Sequence, residues 1–266
     1  MDPSPSDDEA NFDLFGDLSP DEQEQTSARH ATMNKANDAR LDQLQHSRIS
    51  PEDRTIKANR WLFMHTRRHH RHDSSPDATL PCLIPQLLTQ DECQTILDQL
   101  PGATSTEWTT ARHSAFPTTD IPIATTPSLR YLMPLLQDRL VSSVLAPIYG
   151  FARHQLGFRD LFLVRYDSQA QQGLAPHTDG CLMSFSILIN SPDDFEGGGT
   201  LFYTGSNTVM MRPTHQGDVV HHDACITHQG VNITRGERII LVGFVDTVDT
   251  IRQDQLGNGA RKLRSE

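Results

Sequence analysis

The sequence predicts a mainly β domain with flanking helices (α+β), a sheet sandwich or barrel buttressed by helices on one face. Three observations carry this. Apolar residues recur at helical spacing between positions 89 and 147. From about residue 159 the apolar period changes from 3.6 to 2. Turn clusters then separate short apolar runs: Gly197-Gly198-Gly199, Gly205-Ser206-Asn207, Gln216-Gly217 and Arg235-Gly236.

The elements follow in order. Ser50-Pro51-Glu52-Asp53 reads as a helix start, with Ser50 as N-cap and Pro51 at the first helical position. That helix carries Ile56, Trp61, Leu62 and Phe63 and runs into the basic stretch 67–72, read as a solvated linker. Thr89-Gln90-Asp91-Glu92 is a capping box, and Cys93, Ile96, Leu97 and Leu100 form the apolar stripe behind it, ending near Pro101-Gly102. A second helix opens at Thr126-Pro127, buries Leu129, Leu132, Leu136, Leu140 and Val144, and stops at Pro147. Strands are expected over 161–166, 182–189, 200–203, 209–212, 218–221 and 238–245.

Charge is segregated along the 266 residues. Positions 1–28 hold nine acidic and no basic side chains, 29–72 are net +6, and 73–266 are net −8. The organisation read from this is a disordered acidic tail over 1–30, a polar, basic helical linker over 31–78, a globular domain over 79–250 and a C-terminal tail over 251–266. Its net negative charge argues against nucleic acid as the main partner. The longest apolar run, 239–245, has seven residues where a membrane span needs about twenty, so no membrane partner is expected. No secretory signal is visible, and Cys82, Cys93, Cys181 and Cys225 form no Cys-x-x-Cys pair. They read as reduced thiols of an intracellular protein, cytoplasmic or nuclear.

In an extended chain residues i and i+2 share a face, so His-x-Asp delivers two metal ligands to one point. Thirteen His and 34 acidic residues give about two such pairs by chance. Two occur: His177-Thr178-Asp179 and His221-His222-Asp223. Context separates them. His177 and Asp179 sit on a Gln/Gly/Pro-rich loop just before an expected strand, and a third ligand, His228, follows across several strands. Arg238 starts the last apolar strand, and a buried guanidinium needs a carboxylate partner, for which a substrate or cosubstrate carboxylate would serve. Two His and one carboxylate with open positions is the donor set of non-haem Fe(II) oxygenases. The rival set of His221, Asp223 and His228 leaves His177, Asp179 and Arg238 without a role.

Here the chain resembles the 2-oxoglutarate/Fe(II)-dependent dioxygenases, specifically the prolyl 4-hydroxylase-like branch, over roughly residues 80–246. The resemblance rests on an ordered set: Leu163-Val164-Arg165-Tyr166, His177-Thr178-Asp179, the stretch 195–202, Gly217-Asp218, His228 and Gly236-Glu237-Arg238. It implies a double-stranded β-helix (jelly-roll) core with Fe(II) at its mouth and 2-oxoglutarate as cosubstrate, with L-ascorbate as a reductant. By resemblance His177, Asp179 and His228 match the iron ligands. Arg238 matches the residue that binds the distal carboxylate of 2-oxoglutarate, and Tyr166 matches an aromatic hydroxyl contacting the same molecule. The chain departs from the family at His221 and His222, where a bulky apolar or aromatic residue is usual; both read as strand-end histidines near the site.

The implied reaction couples decarboxylation of 2-oxoglutarate to hydroxylation of a substrate C–H bond. A protein or peptide side chain, prolyl first, is the expected substrate. The Thr/Pro-rich segment 108–127 and the loop 167–175 would frame an open groove for an extended chain. A free amino acid or small metabolite, enclosed by the same loops, is the alternative. A nucleic-acid demethylase would share the triad, but that branch places a second Arg where Phe244 stands. A non-catalytic metal-binding scaffold is the alternative of another class. Oligomeric state is not legible.

Overall fold

The structure is a computed structural model that describes residues 81–102, 105–113, 115–149, 151–204 and 207–262. The expected acidic tail, the helix opening at Ser50 and the basic stretch 67–72 lie outside the described residues. Those described form mostly antiparallel β-sheet with few helices. The strands are β1 (Cys82–Ile84), β2 (Asp120–Pro122), β3 (Leu156–Asp167), β4 (Leu174–His177), β5 (Met183–Leu188) and β6 (Phe195–Gly197). They continue as β7 (Thr200–Thr204), β8 (Asn207–Met211), β9 (Val219–Asp223), β10 (His228–Gly230) and β11 (Ile233–Thr247). One sheet runs β1-β9-β5-β11-β3-β2, with β6 also paired to β11, and the other runs β4-β10-β7-β8.

The larger sheet is buried on both faces, and strand parity decides which side chain goes where. Leu161 and Leu163 of β3, Ile187 of β5 and Leu241 of β11 join the core built against the helices. Their neighbours Phe162, Val164, Tyr166, Leu188 and Ile240 point the other way and pack as a second cluster. Successive side chains of a pleated strand point to opposite faces, so a one-residue slip would exchange the two sets. The second face is the one turned towards the four-stranded sheet, and a cavity opens between them.

The helical layer keeps the expected order but changes its winding. Helix α1 (Gln90–Asp98) starts at the predicted capping box, with the Thr89 hydroxyl accepting from Glu92 N and the Glu92 carboxylate accepting from Thr89 N. It ends at Asp98, before the expected Pro101-Gly102. The second helix is not one regular α-helix. A 3₁₀ turn (Pro127–Leu129) leads to α2 (Leu132–Leu136), a π-helix (Gln137–Leu145) and α3 (Ala146–Tyr149). The wider winding shifts the buried stripe, so Leu140 and Val141 are followed in the core by Leu145 while the expected Val144 is only half-buried. Nor does Pro147 stop the helix. Ala146 N–H donates to Val141 O and Phe151 N–H to Ala146 O, an i to i−5 spacing that carries the chain past the proline.

Strands β1, β2, β4, β6 and β10, of three or four residues each, were not among those expected; they are too short to display a period of 2. Helix α4 (Val248–Lys262) runs across the expected domain boundary at 250. Its start is tied to the sheet by Val248 N–H donating to Gln155 O, and Arg159 of β3 pairs with Asp254.

The turn before β9 is held from both sides. Buried Asp218 accepts Gln86 N–H at Oδ1 and the Thr214 and His215 N–H groups at Oδ2, at 2.9 to 3.0 Å. Gly217 beside it has φ +81°, and a Cβ there would lie 1.8 Å from the Leu88 carbonyl oxygen. Gly217→Ala should therefore destabilise the domain by about 2 kcal/mol or more, read as a lower urea midpoint in equilibrium unfolding.

Candidate metal centre and cavity

The four-stranded sheet brings the predicted ligands together. β10 pairs antiparallel with β4 so that His228 stands opposite His177, and with β7 so that His228 stands opposite Phe202. His177, read from the sequence as a loop residue, is the last residue of β4. His177 Nδ1 lies 2.8 Å from Ala175 O and His228 Nδ1 3.0 Å from Ile226 O. A carbonyl only accepts, so both Nδ1 atoms carry the proton and both Nε2 lone pairs are free for a metal. Asp179 is fixed by its own N–H, which donates to Ala224 O. Its Oδ1 is 3.5 Å from His177 Nε2 and its Oδ2 is 3.7 Å from His228 Nε2. These separations suit atoms converging on one ion, and the three ligand atoms lie within 4.8 Å of one another. Among the described residues no other group of three His, Cys, Asp or Glu side chains converges in this way.

Rings surround the triad. Phe202 stacks on His228 with ring centres 5.5 Å apart, and Phe116 lies over His177 at 5.0 Å. His222, on β9, is 4.4 Å from His228 and lines the cavity. Burial pushes its pKa well below the usual histidine value, with the His228 charge adding to that direction. Burial likewise lowers His228, against the raising effect of Asp179. The rival pair does not converge. His221 faces the helical layer, where its Nδ1 lies 3.0 Å from Tyr149 Oη, and Asp223 Oδ1 accepts the Cys225 N–H. Parity on β9 separates two adjacent histidines into one cavity residue and one core residue.

Arg238 is 1% exposed and stands opposite Tyr166 in the β11–β3 register. Its guanidinium carbon lies 5.7 Å from the centre of the Tyr166 ring. Nη2 has no hydrogen-bond partner, and burial lowers the pKa of the group while the Tyr166 hydroxyl acts in the opposite direction. Burial raises the Tyr166 pKa, which keeps its phenol protonated as a donor. The glycine turn approaches from behind: Gly198, at φ +68°, leaves a gap in which a Cβ would come 3.3 Å from Arg238 Cδ. Arg238, Tyr166, His177, Asp179 and His228 all line one cavity of about 430 Å³. Among the described residues, Asp179 is the one carboxylate in its wall. An unpaired buried guanidinium costs several kcal/mol, so the wall holds a standing demand for an anion.

Two cavity residues escaped the sequence reading. Arg112 and His113 lie in the segment 109–120, marked only as a rim. Its neck is closed by paired hydrogen bonds between Thr109 and Asp120, at 3.0 and 2.9 Å. Arg112 reaches back to Asp120 and across to Asp160 of β3, each at 2.6 Å. Its nearest sequence signal is a lone Arg-His pair among Thr and Pro; the partner on β3 is 48 positions away.

Comparison with known proteins reaches the same region of chemistry. No family model matches the chain. Over 88 residues it is 36% identical to procollagen-lysine,2-oxoglutarate 5-dioxygenase 1 of Rattus norvegicus, covering 32% of this chain and 12% of that protein. The Drosophila melanogaster procollagen-lysine,2-oxoglutarate 5-dioxygenase is 33% identical over 88 residues, with the same coverage of each chain. The chain thus spans about an eighth of the length of these curated relatives. Among solved structures, a 2OG-Fe(II) oxygenase family oxidoreductase from Burkholderia pseudomallei aligns with a TM-score of 0.49 and 16% identity, covering 62% of this chain and 84% of that one. A Pseudomonas putida prolyl-4-hydroxylase aligns with a TM-score of 0.46 and 14% identity, covering 62% and 91%. The chain is therefore similar in sequence to 2-oxoglutarate-dependent dioxygenases over about a third of its length. No helix among the described residues is long and apolar enough to cross a membrane.

His221 makes the fold sensitive to acid. Burial lowers its pKa from 6.5 to about 4. The unfolded chain therefore binds this proton more readily, and the stability His221 contributes above pH 6.5 is lost as pH falls from 6.5 to about 4. Urea unfolding at pH 7.5 and pH 5 should show a lower stability at pH 5, and His221→Leu should narrow that difference.

Proposed function

We propose that this chain is a 2-oxoglutarate- and O₂-dependent hydroxylase built on a double-stranded β-helix, acting on a protein or peptide side chain, prolyl first. One observation carries the reading: a His/Asp/His triad with free Nε2 atoms shares a cavity with a buried guanidinium that lacks a carboxylate. The donor set suits Fe(II), and the orphaned Arg238 Nη2 suits the distal carboxylate of 2-oxoglutarate. When bound, Fe(II) with 2-oxoglutarate and O₂ supplies oxidation of a substrate C–H bond coupled to release of succinate and CO₂, with ascorbate as the expected reductant.

The chain's own residues supply placement. His177, Asp179 and His228 would hold the metal through two imidazole nitrogens and a carboxylate oxygen. Arg238 offers a planar fork to the cosubstrate's far carboxylate, and the Tyr166 hydroxyl donates to the same group. Buried Phe202 stacks on His228 and would limit water beside the metal, and Phe116 lies over the His177 ring. A ring-shaped or aliphatic side chain fits the apolar wall of Phe162, Val242 and Phe244. The relatives' names specify lysine in procollagen, and the peptide class of substrate draws support from those names.

Succinate release from 2-oxoglutarate, dependent on added Fe(II), tests the reaction class; absence of release with the metal bound would overturn it. Alanine at His177, Asp179 or His228 should abolish Fe(II) binding in calorimetric titration, whereas His221→Ala should retain it. Arg238→Lys should raise the KM for 2-oxoglutarate about tenfold or more, since an ammonium cannot reproduce the two-point contact, with a smaller effect on Fe(II) affinity. A gain of one oxygen on a proline-containing peptide, read by mass spectrometry, tests the substrate class.

A further inference from the structure

His222 lines the cavity and has no role in the reading above. Its ring lies 4.4 Å from that of His228 and 4.8 Å from that of Phe202, yet it stays outside the group of three converging ligand atoms. Its Nδ1 lies 3.0 Å from Asp223 O. A carbonyl only accepts, so Nδ1 carries the proton and Nε2 presents a lone pair. We propose that His222 positions the substrate, its Nε2 accepting the backbone N–H of the residue that follows the target proline. This rests on the proposed hydroxylase reading and adds to it the side chain that orients the peptide and the backbone group it takes.

The protein leaves that lone pair open. Nε2 has no hydrogen-bond partner among the described residues, and it is not one of their buried unpartnered atoms, so it keeps surface in the cavity its ring lines. The side chain placed to fill it is Ser184, which stands opposite His222 in the β5–β9 register. That hydroxyl is committed elsewhere. The Cys181 thiol donates to Met183 O at 3.3 Å, so in the 3.2 Å contact between Cys181 Sγ and Ser184 Oγ the serine is the donor. Ser184 has no proton left for His222.

Strand register also decides what His222 faces. Across the larger sheet His222 pairs with Ser184 and Ser184 with Phe244, so His222 belongs to the Phe244 end of β11 rather than the Arg238 end. The far carboxylate of the cosubstrate, held at Arg238, lies towards the other end. Phe244 and Phe162, 5.3 Å apart, form an apolar wall there that suits a pyrrolidine ring. Proline carries no N–H, and its ring is bonded to the backbone at both ends, so the chain enters the chamber with it. The nearest backbone donor belongs to the next residue. An acceptor left unmet in the chamber would weaken binding, and that N–H meets it.

The test uses a blocked peptide with proline followed by alanine, and its ester analogue in which lactate replaces the alanine and an oxygen replaces the N–H. Calorimetric titration into manganese-loaded protein with 2-oxoglutarate should give a Kd about tenfold weaker for the ester. His222→Leu should bind the amide peptide about tenfold more weakly and no longer distinguish the two. His222→Gln, whose side-chain oxygen keeps an acceptor, should recover part of the difference. Fe(II) affinity and the KM for 2-oxoglutarate should move less than about twofold in both variants. The wild-type comparison of amide with ester needs no variant to fold. Equal binding of the two by the wild-type protein, binding of neither, or discrimination that survives in His222→Leu would overturn the proposal. So would loss of Fe(II) binding in folded His222→Leu, which would make His222 a ligand. Failure of the hydroxylase reading alone looks different: no succinate with either peptide, while the difference in their binding remains.

Discussion

The pairing of β10 with β4 sets His228 opposite His177, and the arrangement of the site depends on that register. Opposed residues on neighbouring strands are close enough for their side chains to share one ligand. Asp179 is placed by a separate bond, its N–H donating to Ala224 O just after β9 ends. Backbone hydrogen bonds thus place all three side chains, and the carbonyls of Ala175 and Ile226 select which imidazole nitrogen remains open. A slip of one residue between β4 and β10 would turn His177 to the outer face and leave the other two without a partner.

Electrostatics divide the cavity into two ends with different demands. At the Arg238 end a guanidinium is held out of water beside Tyr166, its Nη2 without a hydrogen-bond partner among the described residues. At the mouth Arg112 is held equally firmly but is satisfied by Asp120 and Asp160. The two arginines differ in what they can still bind: one keeps an unpartnered Nη2, the other is a pin that fastens the 109–120 loop to β3. His113 and Phe116 ride on that pinned loop and line the cavity, Phe116 over the His177 ring.

The helical layer and the larger sheet supply the rigidity behind this. β3 and β11 bury both faces, so each is held by the helices on one side while presenting cavity residues on the other. The π-wound stretch from Gln137 to Leu145 lets the helix keep Leu140 and Leu145 in the core although the stripe is irregular for an α-helix. His221 shows how closely the layers approach: its ring meets Tyr149 of α3 while His222, one residue on, touches His228.

Local pattern was enough for much of this. The capping box at Thr89, the change of period near residue 159 and the long strands around 161–166 and 238–245 are visible because propensity and alternation act over neighbouring residues. The ordered motifs singled out His177, Asp179, His228, Arg238 and Tyr166, and all five line one cavity. The three- and four-residue strands, the π winding, the burial of Leu145 in place of Val144 and the helix beyond residue 250 were decided by packing, which rewards contacts that local periodicity cannot display. The same holds for Arg112 and His113. Nothing near residues 112 and 113 announces that β3 will bring Asp160 and Phe162 against them. By itself the sequence determined which side chains have the chemistry of a metal centre and which strands can carry them. Only the tertiary structure decided that His222 rather than its neighbour His221 faces the cavity, because that choice depends on strand register, set by hydrogen bonds between segments distant in the chain.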